Sequence, residues 1–143
     1  MTLHNRVPAA ESPLLDQAYL EELKRHLGAE IAKDILADGV LALTDRVGGL
    51  ADAARSSPDP EGTLAQLAHD IVGTAGQLGL HRVVHAARLL ERKAIARADT
   101  LAHQQNLLVL ADRSLAAMAE YLGEVAEDPD SSASAETRPA RSA

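Results

Sequence analysis

Apolar residues recur at a step of seven and then at alternating steps of three and four from Leu101 to Val125, and this spacing constrains the fold more than any other feature of the chain. The positions are Leu101, Leu108, Ala111, Leu115, Met118, Leu122 and Val125. Such a pattern keeps one face of an α-helix apolar for about seven turns. A helix of this kind must bury that face against other elements. Asp99 or Thr100 is expected to cap its start.

The composition favours helices as the partners of that face. The sequence contains no Phe, Trp or Cys and only two Tyr. Sheets concentrate aromatic and β-branched residues, so an aliphatic core of Leu, Ala, Val and Ile suits packed helices better. Without cysteine the sequence can form neither a disulfide nor a thiolate metal site.

Four earlier segments show the same spacing and predict helices over residues 14–27, 29–55, 61–79 and 81–98. The expected core positions are Leu15, Tyr19 or Leu20, Leu23 and Leu27 in the first helix, Leu36, Val40, Leu43, Val47, Leu50 and Ala54 in the second, and Val83 or Val84, Ala87, Leu90 and Ala94 in the fourth. The second helix is interrupted by Gly39, Gly48 and Gly49, where small side chains are expected to permit close helix packing.

Glycine, proline and short polar residues mark the ends of these helices. Gly28 is expected to end the first helix as its C-cap. Two caps fit the start of the third helix: Asp59 with Pro60 as the first helical residue, or Thr63 with Gln66 in a capping box.

Together the five segments predict an all-α fold, an antiparallel four-helix bundle with a short additional N-terminal helix. The bundle is expected to span residues 14–126. Residues 1–13 show no periodicity and are expected to form a flexible N-terminal arm. Residues 127–143 contain too little apolar surface to pack, which predicts a disordered C-terminal tail.

The charge and hydropathy of the sequence exclude several classes of function. A net charge of −7 argues against a nucleic-acid binder, which would normally present a basic surface. No signal peptide and no apolar run of about 18 residues is present, so we expect a soluble, cytoplasmic protein without a membrane partner. Arginine outnumbers lysine and alanine is abundant, which indicates a GC-rich bacterial genome.

His69 lies outside the apolar stripe of the third helix. That stripe consists of Leu64, Leu67, Ala68, Ile71, Ala75 and Leu78. The neighbours of His69 one and two turns away are Ala65, Val72, Gly73 and Gly76. Each glycine costs a helix about 1 kcal/mol relative to alanine. The imidazole is therefore expected on an exposed face without bulk or charge, which we interpret as a docking face.

The segment LAHDIVGTAGQLG around His69 resembles the signature of histidine-containing phosphotransfer (HPt) domains, A-H-x-L-K-G-[SA]-[SA]-x-x-[LIV]-G. The matching residues are Ala68, His69, Ile71 or Val72, Gly73, Thr74, Ala75, Leu78 and Gly79. The following segment ARLLERKA, residues 87–94, resembles the next helix of the family with its Leu-Glu pair, here Leu90 and Glu91.

This resemblance implies that His69 is a phosphoacceptor in a two-component phosphorelay. The implied partners are the receiver domains of response regulators, or a hybrid histidine kinase, whose aspartates exchange the phosphoryl group with the histidine. Mg²⁺ is then expected on the receiver domain, and the chain itself needs no metal and no cofactor. Histidine suits such an exchange because its unperturbed pKa of about 6.5 leaves much of the imidazole neutral at pH 7. The implied role is that of a phosphotransfer intermediate rather than an autonomous enzyme.

One position departs from the family pattern, because Val72 stands where the family has lysine. Counting back from the turn at Gly79 places Arg88 and Arg92 as candidates for positive charge near a phosphoryl group. The same count places Glu91 opposite His69. Glu91 is therefore a candidate to accept a hydrogen bond from the second imidazole nitrogen and fix the tautomer of His69. The substitution also leaves an alternative function, a non-phosphorylated helical adaptor that binds a receiver domain.

Two further patterns involve histidine. His81 and His85 have the i, i+4 spacing that can hold Zn²⁺, but no third ligand accompanies them. His69 followed by Asp70 is similar to the phosphoacceptor box of dimerising histidine kinases. Nothing in the sequence resembles an ATP-binding domain, and the glycines that follow fit the HPt pattern better.

Overall fold

The computed structural model describes residues 13–126, which form five α-helices and no strand. The helices are α1 (Gln17–Leu27), α2 (Ala29–Ser56), α3 (Pro60–Gln77), α4 (His81–Ile95) and α5 (Leu101–Ala126). The expected all-α class is therefore confirmed. The predicted N-terminal arm, apart from Pro13, and the predicted tail over 127–143 lie outside the described residues.

Short polar side chains begin α1 and α3. Asp16 caps α1, with its Oδ1 accepting a hydrogen bond from the Tyr19 backbone N–H at 3.0 Å. The helix thus begins three residues later than the sequence predicted. Asp59 caps α3 by accepting from the Gly62 backbone N–H at 3.2 Å, and Pro60 is the first helical residue. Of the two caps that the sequence left open, the Asp59 cap is confirmed.

Glycines at positive φ end α1 and lie in the turn between α3 and α4. Gly28 has a φ of 87° and its N–H bonds the Lys24 carbonyl, as expected of a C-cap. Gly79 has a φ of 71°, and a Cβ there would lie 2.7 Å from Cδ2 of Tyr19. Only glycine satisfies both the conformation and the close approach. The turn is short, so α3 and α4 run side by side.

The four long helices contact one another in a closed cycle. α2 and α4 each contact both α3 and α5, and α1 contacts α2. One aliphatic core lies between them, and the largest fully buried side chains are Leu20, Leu36, Leu43, Leu50, Leu64, Ile71, Leu78, Leu80, Val83, Leu90, Leu107 and Met118. Helix α3 therefore has a neighbour on each side, and its remaining face is open.

The sequence placed most core positions correctly and misplaced several. Leu27 and Leu101, both expected in the core, are 38% and 59% exposed. In α5 the fully or nearly buried residues are Leu107, Leu110, Ala111, Ser114, Met118, Tyr121 and Val125. Adjacent apolar residues such as Leu107 and Leu108 fit a helical period equally well, so spacing alone could not choose the buried one.

The glycines of α2 have different surroundings. A Cβ on Gly39 would lie 2.6 Å from Cδ2 of Leu78, so close packing at that glycine is confirmed. A Cβ on Gly48 or Gly49 would meet nothing within 4 Å. The close-packing interpretation is therefore wrong for that pair.

None of the helices over residues 13–126 is both long enough and apolar enough to cross a membrane.

Candidate functional site

His69 lies near the middle of α3 on the open face of that helix. Its side chain is 64% exposed, whereas Ala68 and Ile71 beside it are fully buried. The buried residues fix α3 between α2 and α4. The imidazole is consequently presented to solvent from a backbone that is held in place by the core.

Glu91 of α4 fixes the orientation of that imidazole. Its Oε2 lies 3.1 Å from Nδ1 of His69, and its side chain is only 25% exposed. Leu90, the preceding residue, is fully buried and anchors α4 at this level. An ionised carboxylate accepts hydrogen bonds and does not donate them, so Nδ1 carries the hydrogen in this pair. In the neutral imidazole, Nε2 then keeps its lone pair.

The surroundings of His69 on α3 are open. Nε2 of His69 makes no hydrogen bond to any residue within 13–126. A Cβ on Gly73 or Gly76 would meet nothing within 4 Å. Ala65 and Val72 are partly buried against the core and leave part of their apolar surface in solvent. These four neighbours of His69 form the surface that we call the α3 face.

The arginines proposed from the sequence lie on α4 but form no hydrogen bond or ion pair with His69. Arg88 and Arg92 are exposed and form no hydrogen bond or ion pair in the part of the chain that the structure describes. Arg88 lies one turn before Glu91, and Arg92 follows it directly. At the imidazole itself, α4 therefore contributes a carboxylate and not a cation.

On its other side His69 borders an open groove of about 610 Å³ between α2 and α3. The residues that line the groove are Ile35, Asp38, Gly39, Ala42, Arg46, His69, Asp70, Gly73, Thr74 and Gln77. Arg46 is the one Lys or Arg among them. Its Nε donates to Oγ1 of Thr74 at 3.1 Å, and that hydroxyl donates to the Asp70 carbonyl at 3.1 Å.

Helix α2 also carries exposed apolar side chains beside the groove. Ile35, which lines it, is 48% exposed, and Ile31 one turn earlier is 55% exposed. Neither the two isoleucines nor Arg46 was predicted from the sequence as part of a site. The sequence signal was an i, i+4 isoleucine pair outside the core stripe of α2, but which helix lies beside His69 depends on packing.

A second polar cluster joins α1 to the start of α4. Nε2 of His81 lies 2.7 Å from Oδ2 of Asp16, and the Tyr19 hydroxyl donates to the Gln77 carbonyl at 2.5 Å. The hydrogen bond from His81, followed by the one from the Tyr19 backbone, lowers the pKa of Asp16. Among residues 13–126 no group of three or more His, Cys, Asp or Glu is arranged to hold a metal ion.

A third cluster closes the opposite end of the helices. Arg97, at a φ of 56°, places its guanidinium 3.0 Å from Asp59 and 3.2 Å from Glu61. This contact lowers the pKa of Asp59 and raises that of Arg97, with the hydrogen bond between the two as the main cause. The cluster ties the turn after α4 to the first turn of α3 and forms no hydrogen bond or ion pair with His69.

Comparison with known proteins adds no relative: no protein-family model, curated protein or solved structure matches this chain. A functional hypothesis must therefore rest on the sequence signature and on the geometry around His69.

Proposed function

We propose that the protein is a histidine phosphotransfer protein, which relays a phosphoryl group between receiver-domain aspartates through His69. The observation that carries the proposal is the hydrogen bond between Nδ1 of His69 and Glu91, made on a face that two glycines leave open. The HPt-like signature around His69 supports the same role. The closed cycle of helix contacts supports the antiparallel four-helix bundle that this class of protein uses.

The proposed chemistry is a reversible transfer between an aspartate oxygen and Nε2. The lone pair of Nε2 attacks the phosphorus of an aspartyl phosphate in line, the Nε2–P bond forms, and the aspartate leaves as a carboxylate. Transfer to a second receiver reverses these bond changes. Glu91 holds the hydrogen on Nδ1 throughout, so no proton needs to enter or leave the imidazole.

The α3 face gives a receiver domain room to bring its aspartate to His69. The open space at Gly73 and Gly76 permits close approach, and the exposed surface of Ile35 offers apolar contact next to it. The proposed partners are response-regulator receiver domains or a hybrid histidine kinase in the cytoplasm, with Mg²⁺ supplied by the receiver. No metal or cofactor on this chain takes part in the proposed transfer.

The test is phosphoryl transfer from phosphorylated receiver domains of the same organism to the purified protein. We expect ³²P label that is acid-labile and base-stable, as a phosphoramidate is. The label should be absent from His69→Gln. It should persist in His85→Gln, a matched change of an exposed histidine on α4. Label that remains in His69→Gln would assign the phosphoacceptor to another residue.

A non-phosphorylated adaptor is the second candidate, because α3 contains no Lys or Arg and Val72 replaces the lysine of the family. An adaptor would bind a receiver domain through the same face without accepting label. Isothermal titration calorimetry with the unphosphorylated receiver separates the two functions. Binding without label would favour the adaptor, and neither binding nor label would reject both.

A further inference from the structure

Arg46 is half-buried at the edge of the groove beside His69, and its side chain is anchored there. Its Nε donates to the hydroxyl of Thr74, a buried residue, and that hydroxyl donates in turn to the Asp70 carbonyl. The guanidinium is therefore tied to the same stretch of α3 that carries His69.

The anchor occupies only one of the three guanidinium nitrogens. Within residues 13–126 the two terminal nitrogens, Nη1 and Nη2, make no hydrogen bond and no ion pair. Their N–H groups retain full capacity for an incoming oxyanion. Because the anchored side chain has already lost part of its rotamer freedom, binding an oxyanion costs less entropy than it would for a free surface arginine.

The other cations near His69 lack this arrangement. Arg88 and Arg92 are exposed on α4 and make no hydrogen bond in the described part of the chain, and α3 itself carries no Lys or Arg. Helix α3, with Val72 in place of the family's lysine, therefore supplies no positive charge to the site. Arg46 supplies one from α2.

We propose that Arg46 is the oxyanion-binding residue of the His69 site. Its ligand is either the phosphoryl group on His69 or the carboxylates of the docked receiver domain. This inference rests on the proposed function, since both oxyanions arrive with a receiver. The terminal N–H groups of Arg46 donate hydrogen bonds to the oxygen atoms of that oxyanion while Nε2 of His69 makes and breaks the bond to phosphorus.

The experiment compares four variants with the wild type. Arg46→Ala removes the charge, and Arg46→Lys keeps the charge but lacks the guanidinium anchor. Thr74→Val removes the anchor and keeps Arg46. Arg113→Ala is the matched control, because it removes the same charge from an exposed position on α5, a helix that does not line the groove.

Two measurements are made on each variant, together with the melting temperature as a check of folding. The first is the fraction of protein phosphorylated at equilibrium with a phosphorylated receiver domain. The second is the Kd for the same receiver without phosphoryl, determined at low and high salt. We expect Arg46→Ala to lower phosphorylation or binding about three- to tenfold, with smaller losses in Arg46→Lys and Thr74→Val. Any loss of binding should shrink at high salt.

The pattern of loss distinguishes the source of the oxyanion. A lower phosphorylated fraction at unchanged Kd assigns Arg46 to the phosphoryl group, and a weaker Kd of the same size assigns it to the carboxylates of the receiver. If Arg46→Ala equals Arg113→Ala in both measurements, the inference is wrong. If the wild type takes no label at all, the proposed relay fails, and the Kd comparison alone then decides the role of Arg46.

Discussion

Substitution of Gly73 separates what the α3 face contributes to folding from what it contributes to binding. A Cβ at this position would meet nothing within 4 Å, and Gly73 is not among the glycines at positive φ. Alanine is favoured over glycine inside a helix by about 1 kcal/mol. We therefore expect Gly73→Ala to raise the free energy of unfolding by about 0.5–1 kcal/mol. For a domain of this size the melting temperature should rise by roughly 2–6 °C.

A long side chain at the same position should act on binding instead. Residue 73 lies one helical turn after His69, so a glutamine there would occupy the space through which a receiver domain approaches. We expect Gly73→Gln to leave the protein folded and to weaken receiver binding by about tenfold or more, because docked surfaces tolerate little overlap. Gly123→Gln is the matched control, since Gly123 is an exposed glycine of α5 with equally open surroundings.

Thermal unfolding followed by circular dichroism measures the first effect, and calorimetric titration with a receiver domain measures the second. A lower melting temperature for Gly73→Ala would show that the space around Gly73 is not open. Equal receiver affinity of Gly73→Gln and Gly123→Gln would show that the docking face lies elsewhere, while leaving the fold of α3 unaffected.

Three further predictions concern charge and packing. Val72→Lys should raise the phosphorylated fraction up to about tenfold, since one added charge at a solvated surface contributes on the order of 1 kcal/mol; no change would mean that charge near His69 is already supplied. Asp16→Asn should lower the melting temperature. Because asparagine keeps a capping side chain, this loss should reflect the missing charge in the contact with His81. Because the pKa of Asp16 is lowered in the folded protein, this loss should be present at pH 7 and shrink as the pH falls through the folded pKa, which thermal unfolding at a series of pH values from 7 down to 2 can check. Gly39→Ala should lower the melting temperature, opposite in sign to Gly73→Ala, because its Cβ would lie 2.6 Å from Cδ2 of Leu78, a side chain that is fully buried and cannot move aside.

The helix boundaries followed from local chemistry and could be predicted well. Gly28 ends α1 and Asp59 with Pro60 begins α3, because a cap involves only residues within a few positions of one another. Two bounds failed for different reasons: the start of α1 has a local signal in Asp16 that was overlooked, whereas the end of α4 has none. Helix α4 ends at Ile95, three residues before the expected position. The turn that follows contains Arg97 at a positive φ, and no glycine marks that position in the sequence.

The same distinction applies to the site. The position of Glu91 opposite His69 could be predicted by counting residues along the two helices from the short turn at Gly79 that joins them. The position of Arg46 could not be counted in this way. Its register against α3 depends on packing contacts such as the close approach of Gly39 to Leu78, which are many residues apart in the chain.

The two polar partners of the α3 site lie on opposite sides of it. Glu91 of α4 holds Nδ1 of His69, and Arg46 of α2 is tied to Thr74 at the edge of the groove. In the proposed relay a phosphoryl group would bring about two negative charges close to the Glu91 carboxylate. That repulsion lowers the stability of the phosphorylated form and favours onward transfer, whereas a cation on the groove side offsets part of it. The balance between these two side chains, one fixing the tautomer and one binding oxygen atoms, would then set how long His69 retains the phosphoryl group.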